Sequence, residues 1–346
     1  HPVRPPPRRR PPLRHHHRHL RPPLRRARRP VDDQSFRAMG SSCRIVVDGP
    51  AGLGRRARGI VQDLEARWSR FLPGSEVCGA NAGAGRPTVV SLMTYRLVEH
   101  AIEACRLTEG VFDPLLLDPL EALGYDRDHL RLADADPNDS RPGQPRGPES
   151  DGAVDGATRL PHLALDPELG AVTVPAGVRF DPGGIGKGLA ADIVARDLVD
   201  RGASWVMVGL GGDLRFAGAS LAALGWIAVV EDPRDPAAEL GRLRVDGGAV
   251  ATSSRLRRRW RHDGRTHHHL LDPRSASPAV TPVVAATVRA PHGWLADVLA
   301  KCTVIAGPER AEPWLAAAGA GAIVTFDDGS TRTVGSIALL EDAHVQ

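Results

Sequence analysis

The chain has 346 residues, 42% of them hydrophobic, 25% charged and 4% aromatic, a balance that fits a water-soluble protein with one large core or two smaller ones. Its net charge of +4 is unevenly placed, because residues 1–30 carry eleven arginines and no Asp or Glu. The remainder is mildly acidic, which argues against a nucleic-acid-binding body, although such a tail can touch RNA or anionic lipid without specificity.

Residues 1–34, rich in Pro, Arg and His, have almost nothing to bury, so a disordered or polyproline II tail is expected there. A single folded domain is expected over 35–342. Cys43, Ile45 and Val47 alternate as a strand closed by Asp48-Gly49. Residues 55–72 repeat apolar side chains at helical spacing, with Ile60, Val61, Leu64 and Trp68 on one face. The run 73–85, dense in Gly and Ala, reads as a loop, 88–92 as a short strand, and 93–108 as a second amphipathic helix ended by Gly110. Phe112-Asp113-Pro114 is an extended pre-proline segment. Residues 126–160 are acidic, rich in Pro, Gly and Ser, and aperiodic, as in a flexible insertion loop. Val172, Val174, Val178 and Phe180 then alternate as a strand ending at Asp181, followed by a helix with Leu189, Ile193, Val194, Leu198 and Val199 on one face. Val206 and Val208 mark a strand before Gly211-Gly212-Asp213, suggesting a βαβ-like return. Further strands are expected at 225–232, 247–254 and 285–290, a helix at 294–307, and a closing hairpin turning at Asp328-Gly329.

Between strand and helix, Gly183, Gly184, Gly186 and Gly188 surround Lys187. Glycines allow close backbone approach, and the first N–H groups of a helix are unpaired and partly positive. The spacing is neither a P-loop nor G-x-G-x-x-G, so an anion cradle and a ligand-free connection both remain open on the residues alone. Two lysines, Lys187 and Lys301, stand among 45 basic residues. A compact ammonium at Lys187 suits a phosphate or carboxylate partner. His267, His268 and His269 follow a run of arginines and read as either a reactive group or a solvated patch; Asp297 as a ligand or a helix-surface acid; Asp213 as a functional acid or a turn residue. Cys43, Cys78, Cys105 and Cys302 show no C-x-x-C pair or metal-ligand spacing and are expected to be reduced. No apolar run reaches a membrane span, and no apolar h-region follows the basic N-terminus, so a cytoplasmic location is expected.

In sequence, FRAMGSS, SRFLPGSEVCGAN, TEGVFDP, FDPGGIGKGLAAD, GLGGDLRFAG, VATSS, HHHLLDPRS and WLADVLAKCTVIAG resemble the motifs of the FAD:protein FMN transferase (ApbE) family over roughly residues 35–340. The resemblance implies an α+β, two-lobed fold of mixed sheets flanked by helices, with the ligand between the lobes. It implies transfer of FMN from FAD to a Thr or Ser hydroxyl of an acceptor flavoprotein, with release of AMP and use of Mg²⁺. The alternatives it leaves are an FAD pyrophosphatase and a non-catalytic FAD-binding protein. Carried over residue by residue, it puts Met39, Phe71, Phe112, Asp113, Asp181, Lys187 and Leu270 beside FAD. His269 becomes the general base, and the Gly184 carbonyl and Asp297 become metal ligands. Lys301 stands where members usually have a Thr ligand, and an ammonium has donors but no free lone pair. Either Lys301 points away, or its charge takes the metal position. Asp151–Thr158 ends in Gly-Ala-Thr, as the acceptor motif does, and coincidence is the favoured reading of that segment.

Overall fold

Eight strands build the central sheet of the computed structural model, which describes residues 31–127, 163–219, 225–235 and 237–340; burial alternates in the first two and is near-continuous in those at the sheet's centre. The eight are β1 (Asp32–Ala38), β2 (Ser41–Asp48), β3 (Trp205–Leu210), β4 (Asp213–Gly218), β5 (Gly248–Ser254), β6 (Val283–Ala290), β7 (Gly321–Phe326) and β8 (Thr331–Gly335). The strands lie side by side in chain order, and every pairing is antiparallel. The expected βαβ-like return is therefore absent. Instead β3 and β4 form a tight hairpin through Gly211 and Gly212, whose φ values of 66° and 95° suit glycine. Residues 32–34, expected in the tail, begin β1. The tail over 1–30, most of the 126–160 insertion and the Gly-Ala-Thr segment lie outside the described residues.

The pleat sends alternate side chains to opposite faces. Ile45 and Val47 of β2 join Val206, Val208 and Leu210 of β3 in the larger core, beneath the helices. Phe216 and Val250 face the other way, where the hairpin 226–245 covers them with Ala228, Val230, Leu243 and Val245. Each fully buried Val, Leu or Ile contributes about 1.5–3 kcal/mol relative to exposure.

Among the described residues the α-helices are α1 (Leu53–Trp68), α2 (Glu76–Ala82), α3 (Leu92–Leu107), α4 (Leu117–Ala122), α5 (Gly186–Asp200), α6 (Gly293–Ala306) and α7 (Pro308–Ala317). α1, α5 and α6 lie on the sheet, and α6, buried along nearly its whole length, also packs on α3, α5 and α7. Among the described residues no helix is long and apolar enough to cross a membrane. The four cysteines are free thiols.

Two local expectations change. Residues 76–82 form α2 rather than loop, because Ser75 caps the helix: its Oγ accepts a hydrogen bond from the Cys78 amide at 3.0 Å. The strand expected to reach Asp181 pairs only over Ala171–Thr173. Gly177, with φ 80°, turns the chain, and 178–181 lies outside any sheet, with Asp181 extended. Asn81 replaces the missing ladder. The Phe180 amide donates to its Oδ1 at 2.7 Å, and its Nδ2 donates to the Phe180 carbonyl at 3.0 Å.

Candidate active site

The site begins where α5 and α6 start side by side. A Cβ on Gly188 would lie 2.5 Å from the Gly293 carbonyl carbon and 2.8 Å from Trp294 Cα, so only glycine permits this contact. Asp192 secures it from the far side, accepting from the Gly293 and Trp294 amides at 2.9 and 3.0 Å and pairing with Arg215 at 2.6 Å. Lys187, in the first turn of α5, is thereby set beside Asp297 and Lys301 of α6. Glycine is needed again at Gly184, where a Cβ would lie 2.7 Å from the Phe112 ring.

Four largely enclosed charges meet there. Lys187 Nζ lies 2.6 Å from Asp213 Oδ2 and 3.6 Å from Asp297 Oδ2. Asp213 also accepts from the Thr252 amide at 3.2 Å. Lys301 Nζ donates to the Gly184 carbonyl at 2.7 Å, to the Asp297 carbonyl at 3.4 Å, and to Asp297 Oδ1. Burial works against the charge on Lys187, but the Asp213 and Asp297 carboxylates outweigh it and hold the ammonium above the ordinary lysine range. Burial also opposes the charge on Asp297, yet Lys187 and Lys301 keep its carboxyl below the usual range. For Asp213 burial prevails and pushes the carboxyl up.

This donor set does not fit a magnesium ion as it stands. Mg²⁺ wants oxygens at about 2.0–2.1 Å in octahedral array. The Gly184 carbonyl and the Asp297 carboxylate are instead bonded to the Lys301 ammonium, which offers no lone pair. No group of three or more His, Cys, Asp or Glu arranged for a metal occurs among the described residues.

Above this cluster opens a cleft of 680 Å³, within the range of small-molecule and cofactor sites. Met39, Phe71, Phe112, Asp113, Asp181, Gly184, Lys187, His269, Leu270 and Lys301 all line it, while Asp297 lies beneath the lining, 2% exposed. His269 Nδ1 is buried without a hydrogen-bond partner among the described residues. Burial, then the charges of Arg258 and Lys301, hold its imidazole well below the ordinary histidine range. It is neutral at pH 7 and surrounded by cations, an arrangement that favours an anionic ligand alongside it.

A family model described as the ApbE family matches residues 39–324. The chain belongs to the ApbE family. The FAD:protein FMN transferase of Vibrio cholerae is 27% identical to it over 253 residues, 72% of each chain. That of Treponema pallidum is 27% identical over 299 residues, 80% of this chain and 78% of the other. Among solved structures, the ApbE protein of Thermotoga maritima aligns with a TM-score of 0.75 at 25% identity, covering 88% of this chain and 97% of that one. The apo flavinyl transferase ApbE of Pseudomonas stutzeri gives 0.70 at 25% identity, covering 88% and 95%.

Several residues of this ApbE cleft escaped the sequence reading. Arg258 lines it from a left-handed backbone position, φ 48°, and no ion pair or hydrogen bond engages its guanidinium among the described residues. It was hidden in the sequence by its arginine neighbours. The Arg70 guanidinium lies between the Phe71 ring at 4.3 Å and the Tyr125 ring at 4.8 Å, and Tyr125 stacks on Trp260 at 4.9 Å. This column supports Phe71, a residue that stays 39% exposed at the cleft. Glu65 accepts from the Met39 amide at 2.6 Å and so fixes the β1–β2 turn at the cleft wall. Asp113 and Asp181 use an oxygen each on local backbone, accepting from Leu115 at 2.8 Å and Gly183 at 3.0 Å. Those bonds shape the loops that face the cleft.

Proposed function

We propose that this chain transfers the FMN moiety of FAD to a Thr or Ser hydroxyl of an acceptor protein. The observation that carries the reading is the neutral His269 in a cleft that also holds Lys187 and Arg258. Hydroxyl attack on a pyrophosphate needs a proton acceptor, neutralisation of phosphate charge and positioning. His269 serves as the acceptor, and Lys187 and Arg258 face the phosphates. Phe71, free on the side away from Arg70, offers a stacking surface for a purine ring. Phe112, Met39 and Leu270 provide apolar wall for the flavin end.

In the step itself, the acceptor oxygen attacks the phosphorus on the FMN side. A new P–O ester bond forms, the anhydride P–O bond breaks, AMP departs, and the hydroxyl proton passes to His269. Burial among cations leaves the imidazole a weak base. A bound pyrophosphate adds negative charge beside it and raises its proton affinity when it is needed. Mg²⁺ has no step in this scheme, because the groups expected to hold it are bonded to Lys301.

The test is incubation of the purified chain with FAD and a peptide bearing the Asp-x-x-Ser/Thr-Gly-Ala-Thr acceptor motif, followed by intact-mass analysis. A peptide heavier by the FMN moiety, with AMP in equal amount, is the expected result. FMN and AMP without peptide adduct would mean hydrolysis instead, and bound, unchanged FAD would mean a binding protein.

A further inference from the structure

Lys301 holds the place of a cation, and it does so with every donor it has. An ammonium carries three N–H groups. Three acceptors converge on Lys301 Nζ: the Gly184 carbonyl at 2.7 Å, the Asp297 carbonyl at 3.4 Å and Asp297 Oδ1. These atoms belong to two separate pieces of chain, the glycine turn before α5 and the second turn of α6. Joining a backbone carbonyl on one to a carboxylate on the other is what a bridging metal ion would do. The i,i+4 spacing of Asp297 and Lys301 puts both side chains on one helical face, so the bridge closes without distorting α6.

The residue type supports the same reading. Among 45 basic residues only this one and Lys187 are lysines. A planar guanidinium spreads its donors along a fork, whereas an ammonium concentrates one charge and three donors at a point, as a metal does. The local charge also balances, since Lys187 and Lys301 face Asp213 and Asp297. Lys301 thus has no donor left for a ligand. Lys187 donates to Asp213 and to no other acceptor among the described residues, so it and Arg258 keep donors for phosphate oxygens.

Resting on the proposed FAD chemistry, we propose that Lys301 is a built-in substitute for a divalent cation, so that this chain binds and turns over FAD without a metal ion. Its role is positional, because it holds Gly184 and Asp297 rather than the substrate.

The test compares the full chain with Lys301→Thr, both stripped with EDTA. Metal binding is read from loss of the free Mn²⁺ signal in electron paramagnetic resonance, and FAD turnover from AMP release with Mg²⁺ or with EDTA. The wild-type chain is expected to leave the Mn²⁺ signal unchanged and to release AMP equally in EDTA and in Mg²⁺. Lys301→Thr is expected to deplete the Mn²⁺ signal and to gain at least about tenfold in turnover on adding Mg²⁺. Depletion of Mn²⁺ by the wild-type chain, or loss of its turnover in EDTA with recovery in Mg²⁺, would overturn the proposal. Absence of all turnover would defeat the transferase reading instead, and the Mn²⁺ measurement, which needs no turnover, would still decide the metal question.

Discussion

Replacing Lys187 by Met removes the ammonium that sits 2.6 Å from Asp213 and 3.6 Å from Asp297 while keeping the length of the side chain. Both partners are nearly enclosed, with the Lys187 and Asp213 side chains 13% and 11% exposed. Breaking a buried pair from one side leaves an uncompensated charge and costs about 3–5 kcal/mol. For a domain of this size that corresponds to a fall in Tm of roughly 6–20 °C. The pH dependence follows from Asp213, which burial already pushes above the usual carboxylate range and which loses its main charge partner in the variant. The folded variant then holds a proton on Asp213 that the unfolded chain has released. Stability therefore falls as pH rises from the carboxylate range toward that raised value, and the deficit is larger at about pH 8 than at about pH 5. Urea unfolding at the two pH values measures this, and adding Asp213→Asn to Lys187→Met should restore most of the loss at the higher pH. A deficit below about 1 kcal/mol at pH 8, or one that grows toward acid, would refute the view of Lys187 and Asp213 as a buried pair.

Three further outcomes follow. His269→Ala should lower AMP release by about 10²–10⁴-fold while FAD binding, read by equilibrium dialysis, persists. In the unmodified chain kcat/KM should stay level across neutral pH and fall only on the acid side, below the ordinary histidine range, because protonation of the depressed imidazole removes the acceptor. Phe71→Ala should weaken FAD binding by about tenfold in a fluorescence titration with little effect on Tm, since the ring is partly exposed and stacks on one side only. Met39→Asn should stabilise the β1–β2 turn by about 0.5–1 kcal/mol in urea, because Met39 and Gly40 sit at φ 52° and 63°, a pair of positions that suits Asn-Gly, yet weaken FAD binding by removing a side chain from the cleft wall.

What the sequence disclosed, it disclosed through periodicity and motif order. The alternation of Cys43, Ile45 and Val47 in β2, and of Val206 and Val208 in β3, gave those strands away because one face of each is buried under helices. α1 and α3 were legible from their apolar stripes. α2 was not, because a seven-residue helix carries too short a stripe and its glycine and alanine suggest loop; the Ser75 cap was the available signal. The strand read as reaching Asp181 is shorter in the fold because apolar residue types alternate on both sides of Gly177 (Val172, Val174, Val178, Phe180), whereas sheet pairing does not continue past it. At the site, residues carried over from the family motifs converge on one cleft. Arg258, Arg70 and Glu65 were illegible because their roles come from long-range neighbours: the cleft for Arg258, Tyr125 for Arg70, and the Met39 amide for Glu65.

The glycine loop around Lys187 shows how a correct local reading acquires a different partner in three dimensions. A helix start behind a run of glycines favours negative charge, and α5 has one. The charge is the protein's own: the Gly188 amide is directed at Asp297 Oδ2 at 3.4 Å, and that carboxylate is in turn held by Lys301 and faced by Lys187. A phosphate therefore cannot occupy the helix start without displacing Asp297. The cations left for it are on the cleft side, at Lys187 and Arg258, next to His269. The glycines serve close packing: Gly188 admits the backbone of α6, and Gly184 leaves room for Phe112. That packing brings Lys301 within reach of the Gly184 carbonyl and makes an internal cation geometrically possible in this chain.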